Sequence, residues 1–339
     1  MIDPATARLD LVHRPRRLRR TENLRRLSRE TRLSTDNLIA PLFVVDGEGI
    51  ADPIPSMPGQ YRFSIDRLVD EARRLVDLGI PGIALFPKIG DDLKNSAGLE
   101  SLNPDGLFPR AIRAVKEIAP SLLVVSDVAL DPYSSDGHDG IVRDGEIVND
   151  ESLDVLARMA VVQAQAGADI IAPSDMMDGR VAAIREALDI EGYANTAILS
   201  YTAKYASSYY GPFRDALDSA PRVTGEIPPD KKTYQMDPCN AREAIRELML
   251  DLEEGADMVM IKPAVPYLDV IYRVREVADV PVAAYHVSGE YASVKAAAAQ
   301  GWLEERAAVL EALTGIRRAG ADIILTYFAA QVAAWLQEG

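Results

Sequence analysis

A single cysteine, Cys239, stands in a chain of 339 residues. That scarcity rules out an internal disulfide framework and any zinc site built from cysteines alone. Only three histidines occur, and no Ser-His-Asp triad can be built on them from the sequence. No apolar run approaches the ~20 residues that span a bilayer. Nor does the N-terminus join a short basic start to an apolar stretch, as a secretory signal would. The chain is therefore expected to be soluble and cytoplasmic. Neither a G-x-G-x-x-G turn nor a G-x-x-x-x-G-K-S/T loop is present, so nothing favours a nucleotide-binding open sheet. Basic charge is also in deficit. A net charge of −15 repels phosphate over most of the surface and argues against nucleic acid as the main partner.

What is there is a large supply of apolar side chains, 48% of the sequence, enough for a sizeable core. One segment reverses the acidic average. From His13 to Arg32 the chain reads HRPRRLRRTENLRRLSRETR. Such a stretch suits either a polyanion-binding patch or an arm that pairs with acidic surface on a sister subunit, and the acidity of the rest favours the arm. The nucleic-acid reading predicts binding that weakens steeply with salt, and it gives the lysines described below no purpose.

Beyond the arm, eight short runs rich in Val, Ile and Leu alternate with longer helical patterns. They begin at Leu38, Gly82, Leu122, Asp169, Ala197, Asp257, Pro281 and Asp322. Their lack of strict polar alternation predicts parallel strands buried on both faces. The junctions AGADIIAPS, EGADMVMIK and AGADIILTY repeat one grammar, in which a helix stops at glycine and a strand starts. Helices are predicted over Ser64–Leu78, Ser152–Ala166, Ala241–Glu254 and Glu304–Ala319. Eight βα units over this length predict a TIM (β/α)₈ barrel, whose catalytic groups come from the C-terminal ends of the strands. We expect residues 1–35 to form an arm for subunit contacts and 36–339 a single catalytic barrel. Two connections are too long to be plain links. Pro132 to Asp150 contains IVRDGEIV, a hairpin signal with Asp144-Gly145 suited to a type I′ turn. Tyr209 to Asp237 has the composition of a lid.

Lysine placement points to chemistry. Lys204 and Lys262 fall at the C-terminal ends of the fifth and sixth predicted strands. Burial lowers a lysine's pKa and frees its amine to attack a carbonyl, and two lysines in one site push each other the same way. Both are expected as uncharged nucleophiles at one mouth of the barrel. For either alone, a snorkelling side chain or a phosphate contact is the competing reading. Ser288 and Tyr327, ending strands seven and eight, could hold a carboxylate by hydrogen bonds, although Ser288 could equally cap a helix. Arg214, Lys231 and Gln235 lie in the lid, where cations could close over a second carboxylate. The loop DVALDPYSSDGHDG concentrates Asp127, Asp131, Asp136, His138 and Asp139. It is either a solvated acidic loop or a site for a hard cation such as magnesium.

The strings SYTAKYASSYYGPFRDA, DKKTYQMDP, MVMIKPAVPYLD and YHVSGEYA, with PRRLRR and DVALDPYSSDGHDG, resemble the porphobilinogen synthases, also called 5-aminolevulinate dehydratases. The likeness runs from the arm to the last strand. It implies a barrel enzyme that joins two 5-aminolevulinate molecules into porphobilinogen, losing two waters, by way of two lysine Schiff bases. On these positions it implies that Lys262 holds the first substrate, with Ser288 and Tyr327 on its carboxylate. It implies that Lys204 holds the second, with Arg214, Lys231 and Gln235 on the other carboxylate, and that Asp127 is an active-site acid. Zinc-dependent members carry three cysteines where this chain has Ala129, Asp131 and Asp139, so no zinc is expected. Asp131 and Asp139 resemble the branch associated with magnesium or monovalent cations, and whether they hold a cation stays open. Glu247 matches a glutamate that binds an allosteric magnesium, against the plainer reading of a solvated helix residue. The resemblance further implies a homo-oligomer, typically an octamer embraced by its arms. A class I Schiff-base aldolase is the rival within enzymes. It needs one such lysine and commonly has a phosphate site.

Overall fold

The computed structural model describes residues 11–222 and 227–338. The chain divides into two compact units at Arg32 and Leu33. The first holds a 3-10 turn, Pro15–Arg19, and a short helix, Glu22–Leu27, neither of which buries a residue. That helix is held locally: the Thr21 side chain accepts from the Leu24 N–H, and Arg25 pairs with Glu22 at 2.7 Å. With six residues and none of them buried, it gains little from packing within the unit.

The second unit is a closed barrel of eight parallel strands. In chain order these are β1 (Leu38–Val45), β2 (Gly82–Lys88), β3 (Leu123–Val128), β4 (Ile170–Pro173), β5 (Ala197–Lys204), β6 (Met258–Lys262), β7 (Val282–His286) and β8 (Ile323–Thr326). Each pairs with the next, and β8 returns to β1 through Leu38↔Ile324 and Ile39↔Leu325. All eight predicted runs are these strands, and the predicted helices are present as Ile65–Asp77, Asn149–Gln165, Arg242–Glu253 and Glu305–Ala319. They follow the sequence because a strand buried on both faces and a helix with one apolar stripe carry different periods.

The repeated GAD junction does more than end a helix. Gly167 and Gly255 take positive φ, +105° and +99°, as the left-handed turn requires. The aspartate that follows then reaches sideways. Asp169 accepts from the Val124 N–H at the foot of β3, Asp257 from Ile198 on β5, and Asp322 from Val282 on β7, at 2.8, 2.8 and 3.2 Å. Each carboxylate thus satisfies an N–H at the start of the neighbouring strand and sets its register at the non-catalytic end.

Two hairpins decorate the barrel. Ile141–Arg143 and Glu146–Val148 pair across Asp144 and Gly145, both at positive φ, as a type I′ turn demands. The other joins Ala51–Pro53 to Tyr61–Phe63, and its second strand lies parallel to the end of β1, with Arg62 beside Phe43. The expected lid connection is not wholly irregular. It contains a helix, Gly211–Leu217, too short for periodicity to betray.

Candidate active site

Lys204 and Lys262 are the last residues of β5 and β6, and they are direct register partners. In-register neighbours on parallel strands project to the same face, so the topology alone brings the two amines together. Both side chains are buried, and both line one small cavity of about 20 Å³ with Asp131 and five lid residues, Tyr210, Phe213, Arg214, Lys231 and Gln235. That volume admits about one water, not two keto-acids. The lid helix and residues 227–237 thus lie close over the two amines.

The two amines have different surroundings. Lys262 Nζ sits in an aromatic box, 5.0 Å from the ring centre of Tyr201, 5.2 Å from Tyr210, 5.0 Å from Phe213 and 4.7 Å from Tyr285. No hydrogen bond or ion pair holds it among the described residues. Burial, and then the ammonium of Lys204, bring its pKa down to about 7. Lys204 has a carboxylate partner where Lys262 has none: its Nζ donates to Asp139 Oδ2 at 3.0 Å and to the Ser174 carbonyl.

Asp139 lies at the centre of a buried charge network. It accepts from Lys231 at 2.5 Å as well, and Lys231 also reaches Asp131 at 3.2 Å. Burial alone would raise the Asp139 carboxyl, but the two ammoniums outweigh it and hold it well below the usual carboxylate range. Burial opposes charge on Lys231 too, yet Asp131 and Asp139 keep it above the ordinary lysine value. The two carboxylates are thus bridged by Lys231, and Asp139 also holds Lys204. His138 packs behind them, with Nδ1 3.0 Å from the Tyr234 hydroxyl and Nε2 2.9 Å from the Pro228 carbonyl.

Asp127, near the end of β3, is held by its backbone. Gln163 donates to the Asp127 carbonyl at 2.9 Å and accepts from Ser126 at 2.6 Å. Its carboxyl is buried, and Oδ1 has no hydrogen-bond partner among the described residues. Burial pushes it up to about 7, against the pull of Lys204 and Lys262. A carboxyl and an amine that both titrate near neutrality, electrostatically coupled, can exchange protons with a substrate at little cost.

The remaining expected residues are nearby but differently engaged. Ser288 Oγ accepts from the Phe213 N–H at 3.0 Å and donates to the Tyr209 carbonyl at 3.3 Å, so it fastens the start of the lid helix. The Tyr327 hydroxyl lies 2.9 Å from that of Tyr285, one ring beyond Lys262. Neither lines the lysine cavity. Gln235 does, with its Oε1 buried and without a partner among the described residues. Glu247 is elsewhere, in a cavity of about 710 Å³ shared with Asp178 and Glu243. Burial raises its pKa, and Asp251, Asp178 and Glu243 add to this against Arg180. Among the described residues no group of three or more His, Cys, Asp or Glu is placed to hold a metal. The aromatic box escaped the sequence reading. Its signal, Tyr210 and Phe213 in the string after Lys204, is only visible once the chain folds back over the mouth.

A β/α barrel with two buried amines, a protonatable carboxyl and a cationic lid at the C-terminal ends of its strands defines an enzyme. Residues 12–335 match the family model for delta-aminolevulinic acid dehydratase. The chain is 57% identical over 335 residues to the chloroplastic delta-aminolevulinic acid dehydratase of Physcomitrium patens, covering 98% of this chain and 76% of that one. It is 54% identical over 329 residues to the delta-aminolevulinic acid dehydratase of Bradyrhizobium diazoefficiens, covering 97% and 92%. The crystal structure of the Toxoplasma gondii enzyme in complex with its product porphobilinogen superposes with a TM-score of 0.94 at 55% identity, over 97% of this chain and 93% of that one. The chain belongs to the delta-aminolevulinic acid dehydratase family. It is a lyase, and the aldolase reading is set aside.

Proposed function

We propose that the chain makes porphobilinogen by holding one 5-aminolevulinate on Lys262 and a second on Lys204, each as a Schiff base. Family membership gives the overall reaction, a condensation of two 5-aminolevulinate molecules with loss of two waters. The observation that carries the division of labour is the register pairing of two lysines in unequal surroundings. The Lys262 amine, uncharged for much of the time at neutral pH, attacks the ketone carbon of the first substrate. The carbinolamine then expels hydroxide as water, using a proton from the protonated Asp127 carboxyl. The iminium left behind is an electron sink, which eases proton loss from the adjacent carbon. Asp127, now ionised, is placed to take that proton. Lys204 Nζ attacks the ketone of the second substrate, and its bonded neighbour Asp139 belongs to a network that can rearrange when the substrate carboxylate enters. Arg214, Lys231 and Gln235 are the groups for the second carboxylate, and Ser288 and Tyr327 those for the first. The closed aromatic mouth keeps water from a dehydration.

The test is borohydride trapping. With 5-aminolevulinate and borohydride, a reduced adduct should form at Lys262. A labelled protein carrying no adduct there would overturn the assignment.

Three further readings accompany this one. Magnesium would bind at Glu247, whose half-buried carboxylate among other acids suits a cation that keeps most of its waters and needs one or two carboxylates. A homo-octamer is proposed from the arm, which is rich in arginine and buries nothing of itself. No described helix is long and apolar enough to cross a membrane. A cytoplasmic location is proposed from the exposed, unpaired Cys239, which a reducing compartment tolerates.

A further inference from the structure

Arg62 lies on the hairpin strand beside β1, far in sequence from the lid, yet its buried guanidinium is spent on the lid helix. Nε donates to the Ala216 carbonyl at 2.6 Å and Nη2 to the Asp215 carbonyl at 2.9 Å, while Nη1 pairs with Asp52 at 2.6 Å. The last carbonyls of a helix have no partners within it and carry the negative end of its dipole, so a planar cation across two of them is a fitting stop. A second strut from the same hairpin reaches the same turn, where the Ser56 hydroxyl donates to Asp215 Oδ2 at 2.5 Å. The other end of the helix is pinned by Ser288. Between these fixed ends sit Phe213 and Arg214. The Phe213 ring is 5.8 Å from Phe43, 5.1 Å from Phe86 and 5.0 Å from Lys262 Nζ, and Arg214 lines the lysine cavity.

We propose that Arg62 is a positioning residue for the condensation: by capping the lid helix it sets Arg214 over the cavity and so governs capture of the second substrate's carboxylate. This rests on the assignment of Arg214 and Lys204 to the second 5-aminolevulinate. Arg62 touches neither lysine, and the Tyr201 and Tyr285 walls of the Lys262 box stand on strands rather than on the capped helix. Attachment of the first substrate thus depends on Arg62 less than capture of the second carboxylate does. Two half-saturations therefore separate when the cap is removed. That for borohydride trapping at Lys262 moves little, and the KM of turnover rises.

The experiment compares wild-type enzyme with Arg62→Gln, Arg62→Lys and Ser56→Ala. In Arg62→Gln we expect a KM about tenfold higher or more, with trapping at Lys262 half-saturating within about twofold of wild type. Arg62→Lys, which keeps the charge and loses the planar fork, should recover part of the KM. Ser56→Ala, a surface change, should raise KM about threefold in the same direction. A KM for Arg62→Gln within about twofold of wild type overturns the inference, as does an equal loss in trapping and turnover. Should Arg62→Gln not fold, an unchanged KM in Ser56→Ala overturns it instead. Absence of any Lys262 adduct in the wild-type enzyme would bring down the underlying assignment, an outcome distinct from these.

Discussion

Lys204 and Lys262 are paired residue to residue at the ends of neighbouring parallel strands, yet one meets the carboxylate of Asp139 and the other is enclosed by four aromatic rings. The asymmetry comes from what folds over each. The aspartate loop after β3 comes down on Lys204, and the lid helix comes down on Lys262.

The first consequence is a pH dependence. Imine formation needs the neutral Lys262 amine and the protonated Asp127 carboxyl, both titrating at about 7, so the rate of imine trapping should peak near pH 7 and fall on either side. Stability rises with pH through this residue. Its pKa is lower folded than unfolded, so the unfolded chain binds more protons between about 7 and 10.5. The penalty on the native state is full below about 7 and fades across that window. Lys262→Met should abolish turnover and raise Tm, with a larger gain at pH 7 than at pH 10. Thermal melts at both values check the sign.

Lys204→Ala should leave the first attachment intact. Mass spectrometry after borohydride should find one substrate on Lys262, while porphobilinogen measured with Ehrlich's reagent stays at background. Product above background would show that a single imine suffices.

Asp139 is the anion that two buried ammoniums share. Asp139→Asn should cost roughly 3–5 kcal/mol, because it strands Lys204 and weakens the hold on Lys231. Its folded pKa is depressed, so the stabilisation it supplies is complete above the unfolded carboxylate value and is lost as pH falls through the folded one. The gap between wild type and variant in urea titrations should be full at pH 7 and shrink in strong acid.

Glu247 belongs to a different cavity from the lysines, so its effect on activity should be indirect. Glu247→Ala, or EDTA treatment of the wild-type enzyme, should lower activity and change assembly size by light scattering, and magnesium should restore only the wild type. No change in either readout under both treatments would remove the magnesium reading.

Much of this was legible in the linear chain, and for a physical reason. Buried parallel strands, amphipathic helices and Asp144-Gly145 turns are local solutions, written in neighbouring residues and in periods of 2 and 3.6. The placement of Lys204 and Lys262 at strand ends follows from that alone. What only the tertiary structure decided lies in contacts between distant segments. Asp169, Asp257 and Asp322 brace neighbouring strands. Ser288 is engaged with the lid rather than free in the cavity, and a seven-residue helix exists because Arg62 and Ser288 hold its two ends. The surroundings of the amines were beyond the sequence too, since desolvation and the nearest carboxylate depend on which loop lies overhead. The chain dictated where its amines stand; the fold chose which of them meets a carboxylate and which meets aromatic rings.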